Sequence, residues 1–156
     1  MLLTELLRED LIKINLEAKT KWEAIEELID QLICVHELSL MDRSEVVKAV
    51  FEREESLSTG LEHGVAVPHG VTDCVDELVG VLGTAPGIDF DSLDGHDVQL
   101  IILLLIPKGA FQHHIKTLAG IAKLGSTAKL REAIFAANSA AEIMDILRQS
   151  DIGTTP

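Results

Sequence analysis

Apolar residues recur at helical spacing in several stretches of the chain, and each of these stretches predicts a helix. The clearest helix begins at Thr20, because the segment Thr20-Lys21-Trp22-Glu23 has the form of a capping box. Its apolar positions share one face, namely Trp22, Ile25, Leu28, Ile29, Leu32 and Ile33. The same spacing predicts helices from Asp42 toward Glu55, from Phe111, and over residues 126–137 and 139–149.

Shorter apolar runs predict strands at Ile12–Leu16, Val65–Val67, Leu78–Leu82 and Val98–Ile106. In the first run apolar and polar residues alternate, which is typical of a half-buried strand. The last run is apolar apart from Gln99, as expected for a central strand that is buried on both faces. Residues 83–97 are rich in Gly and Asp and contain Pro86, so they predict a loop.

The alternation of strands and helices predicts an α/β fold, a sandwich in which helices cover both faces of a mixed β-sheet. The 156 residues are enough to bury one substantial core. We therefore expect a single domain over residues 1–156, with a short helix or turn at Leu2–Leu7 and a frayed tail at residues 153–156.

The chain is strongly acidic, with 13 basic and 26 acidic residues and a formal net charge of −13. Such a surface repels nucleic acid and anionic membranes, so neither is expected as a partner. No apolar run reaches the length of a membrane span, and the start of the chain does not resemble a signal peptide. Cys34 and Cys74 form no metal motif. These features predict a cytoplasmic protein with reduced thiols and no membrane insertion.

One histidine, His69, lies between a proline and a glycine directly after a short apolar run. Pro68 cannot donate a ladder hydrogen bond, so the strand is expected to end near it, and Gly70 frees the backbone just beyond. His69 is then expected at a strand end with its ring pointing into a cleft, which suits a reactive side chain. The alternative is a strand-end histidine that only caps or packs.

A second histidine, His114, falls in the helix that follows the predicted central strand. On a helical wheel the apolar positions that share one face are Phe111, Ile115, Leu118 and Ala122. Relative to Leu118, His114 lies roughly 40° away and His113 roughly 140° away, so His114 is predicted to point inward and His113 to solvent. Since sites in α/β folds form near strand ends, His114 is expected to approach His69. The alternative is a core-edge histidine bound to a backbone carbonyl.

Taken together, these segments resemble the type 2 EIIA domain of the bacterial phosphoenolpyruvate-dependent sugar phosphotransferase system, the fructose, mannitol and nitrogen-regulatory EIIA family. The matching segments are Arg53-Glu54, Ser58-Thr59-Gly60, Val65-Ala66-Val67-Pro68-His69-Gly70, the loop Gly87–Gly95 and His114-Ile115-Lys116-Thr117-Leu118-Ala119. The resemblance extends from about residue 3 to residue 150, and the combination of blocks is specific.

The resemblance implies a phosphocarrier. In this family the first histidine takes a phosphoryl group from the phosphohistidine of the carrier protein HPr and passes it to an EIIB domain, often to a cysteine there. Carried over by position, His69 is the phosphorylated residue, His114 is its supporting histidine, and Arg53 is an arginine near the site. The implied partners are an HPr-like donor and an EIIB domain or a regulatory target as acceptor. No cofactor and no metal are expected.

Phosphoryl transfer to histidine requires a neutral ring nitrogen, and an acceptor bound to the other nitrogen fixes the tautomer. The transition state spreads negative charge over three oxygens, so catalysis consists mainly of positioning and charge stabilisation. Arg53 is expected to neutralise this charge with its planar guanidinium, while the Thr59 hydroxyl and the Gly60 N–H are expected to donate to phosphoryl oxygens. The alternatives are that Arg53 only faces the negative end of a helix dipole and that Thr59 only shapes the turn.

The sequence departs from the family pattern beside the two histidines. Leu61 and Glu62 stand where the family often has Ile and Gly, and His63 stands where Asn or another polar residue is common. Val71 follows the Pro-His-Gly segment, where a Lys is frequent. These departures concern the choice of partner more than the phosphorylation itself.

Three other functions are weighed against this one. A zinc site built from His63, His69, His113 and His114 is disfavoured, because two of these are adjacent on a helix and point apart, and no Cys or Asp joins them at ligand spacing. A regulatory module, which acts through phosphorylation-dependent protein binding in the nitrogen-regulatory branch, stays open as the alternative, because the sequence does not separate it from sugar uptake. A chain that only binds and carries no phosphate is disfavoured by the retained pair of histidines.

Overall fold

The computed structural model describes residues 3–150, which form a mixed β-sheet with helices on both of its faces, as predicted. The helices are α1 (Leu3–Leu6), α2 (Lys21–Cys34), α3 (Arg43–Ser56), α4 (Phe111–Leu124), α5 (Ala128–Ala136) and α6 (Ala140–Ser150). The strands are β1 (Ile12–Lys13), β2 (Val65–Ala66), β3 (His69–Thr72), β4 (Val79–Ile88) and β5 (Val98–Pro107). The predictions for Leu2 and for the tail at residues 153–156 lie outside the described residues.

The centre of the sheet is β5, as its apolar sequence predicts. It pairs antiparallel with β4 on one side and parallel with both β2 and β3 on the other, while β1 extends the sheet as a parallel partner of β4. All residues from Leu100 to Ile106 are fully buried, because helices cover both faces of the strand. Among the described residues, no helix is long and apolar enough to span a bilayer.

Strands β2 and β3, which both pair parallel with β5, lie end to end along it, with Pro68 between them. Pairing with β5 resumes at His69, which is opposite Leu104, because the Pro68 carbonyl accepts the Leu104 N–H at 3.0 Å. The predicted strand does end before Pro68, but His69 does not lie at the end of a strand, as expected, and instead begins β3. Proline lacks a donor but retains its acceptor, so His69 begins a strand of its own.

The predicted loop at residues 83–97 is wrong over its first part, since β4 continues through Ile88. Gly83 is a packing residue here, because a Cβ at this position would lie 2.9 Å from side-chain atoms of both Leu16 and Leu28. Pro86 is tolerated because the register of β4 against β5 is irregular between Thr84 and Ile88. Close packing explains Gly83 and the irregular strand pairing accommodates Pro86, so neither residue marks a turn.

The predicted start of α2 is confirmed. The Thr20 side chain accepts the Glu23 N–H at 3.2 Å, and the Glu23 carboxylate accepts the Thr20 N–H at 3.2 Å, which completes the capping box. The helix buries one face against the sheet and α3, and the edge of Trp22 meets Phe51 with ring centroids 5.0 Å apart. This contact fixes α2 against α3, the helix that precedes the candidate site.

Helix α3 approaches β3 closely enough to require a glycine at position 70. A Cβ there would lie 3.2 Å from the Val50 nitrogen and 3.3 Å from the Ala49 carbonyl carbon, and these backbone atoms cannot rotate away. We expect Gly70→Ala to lower the free energy of unfolding by about 2 kcal/mol, in the range typical of overpacking. Chemical denaturation measures this loss.

Gly80→Ala, in β4 on the other side of β5, is the matched control. Its Cβ would meet only the ends of the Leu6 and Leu104 side chains, which can change rotamer, so a smaller loss is expected. Equal losses in the two variants would contradict the close contact between α3 and β3.

Candidate active site

The first feature of the site is the orientation of the His69 ring. The residue is 8% exposed, and its Nδ1 lies 2.9 Å from the Val67 carbonyl oxygen. A carbonyl oxygen only accepts, so the neutral ring carries its proton on Nδ1 and donates it to Val67. In the part of the chain that the structure describes, no hydrogen bond engages Nε2. The lone pair of Nε2 is therefore the free nucleophile of the ring.

Two neighbouring cavities of about 450 Å³ and 290 Å³ open beside this ring, and both are lined by His69 and Arg53. The larger one continues to Val71 and Phe111, and the smaller one includes the backbone turn that contains Thr59 and Gly60. The structure thus brings four of the five predicted site residues together, namely His69, Arg53, Thr59 and Gly60.

Arg53 belongs to the last turn of α3 and reaches past the end of the helix. Its Nη1 donates to the Leu57 carbonyl oxygen at 2.7 Å, which is the contact expected of a cation at a helix C-terminus. A guanidinium has five N–H donors, so this bond leaves others for an anion in the adjoining cavities. The two interpretations of Arg53 are therefore compatible, and its role in phosphate binding stays a prediction.

The donors of Thr59 and Gly60 are engaged within their own turn. The Thr59 hydroxyl donates to Glu54, and the Gly60 N–H donates to Ser58 Oγ at 3.0 Å. A phosphoryl group would have to compete with these bonds. The predicted role of both residues as phosphate donors stays a prediction.

Glu54 lies in one of the matching segments, but its sequence context predicts no role for it. It is 2% exposed, and its carboxylate accepts both the Thr59 N–H and the Thr59 hydroxyl. The spacing of four residues from Val46 through Val50 places Glu54 on the buried face of α3, and all three are buried. A carboxylate at a core position of a helix is the signal that would have identified it.

His114 is half-buried in the first turn of α4 and lines neither cavity beside His69. Its neighbour is the exposed His113, with ring centroids 5.0 Å apart, and both burial and His113 lower the pKa of His114. The contact from α4 to His69 is made instead by Phe111, at 6.3 Å between centroids. The pairing of His114 with His69 stays a prediction.

The predicted inward face of α4 is wrong at its first two positions. Phe111 and Ile115 are 38% and 41% exposed, whereas the fully buried residues of the helix are Ile121 and Leu124. Phe111 lines the larger cavity beside His69, whereas Leu118 and Ala122 line the smaller one, so part of this apolar face borders the cavities. A helical wheel groups residues on a face but does not say which surface that face meets.

The pKa of His69 lies below the ordinary value of 6.5, chiefly because burial disfavours the charged ring, with the positive charge of Arg53 acting in the same direction. The Val67 carbonyl and the Glu54 carboxylate oppose this shift. An NMR titration of the His69 ring, assigned with His69→Gln, should give a pKa below 6.5.

The sign of the pH effect follows from this direction. The unfolded chain takes up the proton first as the pH falls below about 6.5, so His69 lowers the free energy of unfolding on the acid side and not above it. Stability that falls equally with pH in wild type and His69→Gln would contradict this shift.

Two of the four residues that depart from the family pattern border the site. Val71 is 41% exposed and lines the larger cavity, and Leu61 lines the smaller one. Glu62 and His63 form a short 3-10 turn, where the His63 N–H donates to Asp94 Oδ2 at 3.0 Å. No group of three His, Cys, Asp or Glu side chains that could hold a metal ion occurs within residues 3–150.

Comparison with known proteins gives consistent matches. A family model described as phosphoenolpyruvate-dependent sugar phosphotransferase system, EIIA 2, matches residues 5–150. The fructose-specific EIIABC component of the phosphotransferase system of Bacillus subtilis is 33% identical over 97% of this chain, which spans only 24% of that protein. A nitrogen regulatory protein of Bradyrhizobium diazoefficiens is 32% identical over 94% of this chain and 95% of that protein. The crystal structure of nitrogen regulatory protein IIA-Ntr from Neisseria meningitidis has a TM-score of 0.83 and 34% identity, covering 92% of this chain and 97% of that one.

Proposed function

The chain belongs to the EIIA 2 family of the phosphoenolpyruvate-dependent sugar phosphotransferase system, and we propose that it carries a phosphoryl group on Nε2 of His69. The donor is the phosphohistidine of an HPr-like protein, and the acceptor is an EIIB domain. The single observation that carries the proposal is the bond between Nδ1 of His69 and the Val67 carbonyl, because it leaves Nε2 as a nucleophile beside Arg53.

The reaction exchanges one phosphorus bond for another in each step. The Nε2 lone pair attacks the phosphorus, the bond from phosphorus to the donor's imidazole nitrogen breaks, and the donor keeps that electron pair. In the second step a thiolate of the EIIB domain attacks the phosphorus, and Nε2 leaves with its electron pair. The proton stays on Nδ1 throughout, hydrogen-bonded to the Val67 carbonyl oxygen, so the His69 ring needs no separate base.

The surrounding residues stabilise the charge of the transferring group. Arg53 lines both cavities beside His69 and supplies a positive charge to the phosphoryl oxygens. Thr59 and Gly60 contribute donors when they exchange their bonds within the turn for bonds to phosphate, and His114 supports the site from α4. The roles of His114 and Arg53 are those that the family resemblance implies, and those of Thr59 and Gly60 follow from the charge of the transition state.

Phosphoryl transfer from phospho-HPr, generated with enzyme I and phosphoenolpyruvate, tests the proposal. We expect acid-labile, alkali-stable phosphate on the protein and its loss when an EIIB domain is added. The control is a fructose EIIA component labelled in parallel with the same donor. If that control is labelled and this chain is not, the phosphocarrier function is contradicted.

A nitrogen-regulatory role is the second candidate, favoured by the likeness to nitrogen regulatory proteins over most of both chains. In that role the phosphoryl group on His69 changes which protein the site binds. Pull-down with phosphorylated protein and with His69→Gln distinguishes the two roles. A target retained by only one form, without onward transfer to EIIB, favours regulation.

A further inference from the structure

A buried ion pair lies behind the candidate site. The Lys21 ammonium is 3.4 Å from Glu54 Oε2 and 3.1 Å from Asp91 Oδ2. The side chain of Lys21 is 9% exposed and that of Glu54 is 0% exposed, whereas Asp91 faces solvent. Buried charges persist only when they are paired and hydrogen-bonded, so this carboxylate is held in one place by Lys21.

The same carboxylate binds the turn that precedes β2. Glu54 Oε2 accepts the Thr59 N–H at 2.9 Å, and Oε1 accepts the Thr59 hydroxyl. Two bonds to one residue fix its backbone as well as its side chain. Hydrogen bonds to a charged acceptor are stronger than those between neutral groups, so Glu54 is the anchor of this turn.

The turn at Thr59 and Gly60 holds Val67, the residue whose carbonyl orients the His69 ring. The Thr59 carbonyl accepts the Val67 N–H at 3.1 Å, and an antiparallel bridge joins Gly60 to Ala66 beside it. The carbonyl of the same Val67 accepts Nδ1 of His69 at 2.9 Å. Ion pairs and hydrogen bonds therefore connect Lys21 through Glu54, Thr59 and Val67 to His69 without a gap.

We infer that Glu54, held by Lys21, is a positioning residue for the His69 ring. By fixing Thr59 it fixes the Val67 carbonyl, and this carbonyl selects the tautomer with the proton on Nδ1. Glu54 does not touch the phosphoryl group in this account and acts only through His69. The inference rests on the proposed function for its consequence, but the tautomer itself is independent of that function.

Glu54→Gln tests the inference, because it keeps the shape of the side chain while removing its charge and one of its two acceptors. We expect ¹⁵N NMR to show His69 shift from a single Nδ1–H tautomer toward a mixture. We expect the rate of phosphoryl transfer to fall by about tenfold to hundredfold, as when an orienting partner of a histidine is lost, with little change in KM for phospho-HPr. The matched control is Glu55→Gln, an exposed carboxylate on the same helix, which should leave both measurements unchanged.

A second variant, Lys21→Gln, removes the ammonium that holds Glu54 and should shift the tautomer in the same direction by a smaller amount. A wild-type tautomer and rate in folded Glu54→Gln would overturn the inference, as would unfolding of both variants, since the network would then stabilise the fold alone. If wild type takes no phosphate but Glu54→Gln still shifts the tautomer, the proposed function fails and the positioning role stands.

Discussion

His69→Gln is expected to abolish phosphoryl acceptance from phospho-HPr, with a loss of more than about a thousandfold in the labelling rate. Glutamine retains polarity and similar reach but offers no imidazole nitrogen, and Nε2 of His69 is the nucleophile of the proposed reaction. Cavities of 290 Å³ and 450 Å³ meet at His69 and give a donor access to this side chain. Labelling with radioactive phosphoenolpyruvate, enzyme I and HPr measures the effect.

Two histidines of α4 provide the comparison for that result. His113→Gln is the control, because the residue is exposed and outside both cavities, and it should be labelled like wild type. His114→Gln should slow the transfer and leave some acceptor activity, since the predicted role of His114 is support. Undiminished labelling of His69→Gln would place the phosphoryl group on another residue.

Arg53→Gln is expected to slow phosphoryl transfer by about 10²–10³-fold, which corresponds to about 3–4 kcal/mol of barrier. The guanidinium is the cationic group that lines both cavities beside His69, and negative charge is spread over the phosphoryl oxygens in the transition state. Arg53→Lys should recover only part of the rate, because an ammonium lacks the planar pair of donors. Single-turnover kinetics with phospho-HPr measures both variants.

Arg43→Gln is the matched control on the same helix. Arg43 pairs with Asp30 at 2.7 Å on the surface, and exposed pairs contribute little to stability. Its transfer rate should equal that of wild type. If Arg53→Gln also transfers at the wild-type rate while remaining folded, Arg53 is only the helix-end cation that binds Leu57.

The sequence predicts correctly those elements that depend on neighbouring residues in the chain. The central strand follows from the apolar run through Leu100–Ile106, because a run of this length that ends at Pro107 and Gly109 is typical of a strand covered on both faces. The start of α2 follows from its capping box, which uses groups within four residues of one another. Both features depend on residues that are close together in the sequence.

The errors concern positions where long-range pairing overrides a local signal. Pro68 and Pro86 both favour a break in a strand, yet β5 continues to pair with the residues beyond each of them. Gly83 suggests a turn in the sequence and serves packing against Leu16 and Leu28 in the fold. Such a glycine or proline has the same local signature in either role, and only the neighbouring elements decide between them.

The candidate site likewise combines local features, which the sequence predicts, with long-range contacts, which it does not. The sequence places Arg53, Thr59, Gly60 and His69 in matching segments, and the structure brings them to shared cavity walls. The bond from His69 to Val67 is local, but its support by Glu54 and Lys21 requires the packing of α2 against α3. Which surface the apolar face of α4 meets is likewise a property of the assembled fold.

The measurement that tests the central claim most directly is NMR of the phosphorylated protein with ¹⁵N-labelled histidine. Coupling between phosphorus and nitrogen identifies the ring atom that carries the phosphoryl group. We predict a single phosphohistidine, with phosphorus bonded to Nε2 of His69 and the proton retained on Nδ1. Phosphorus bonded to Nδ1 of His69, or to any other residue, would contradict the account.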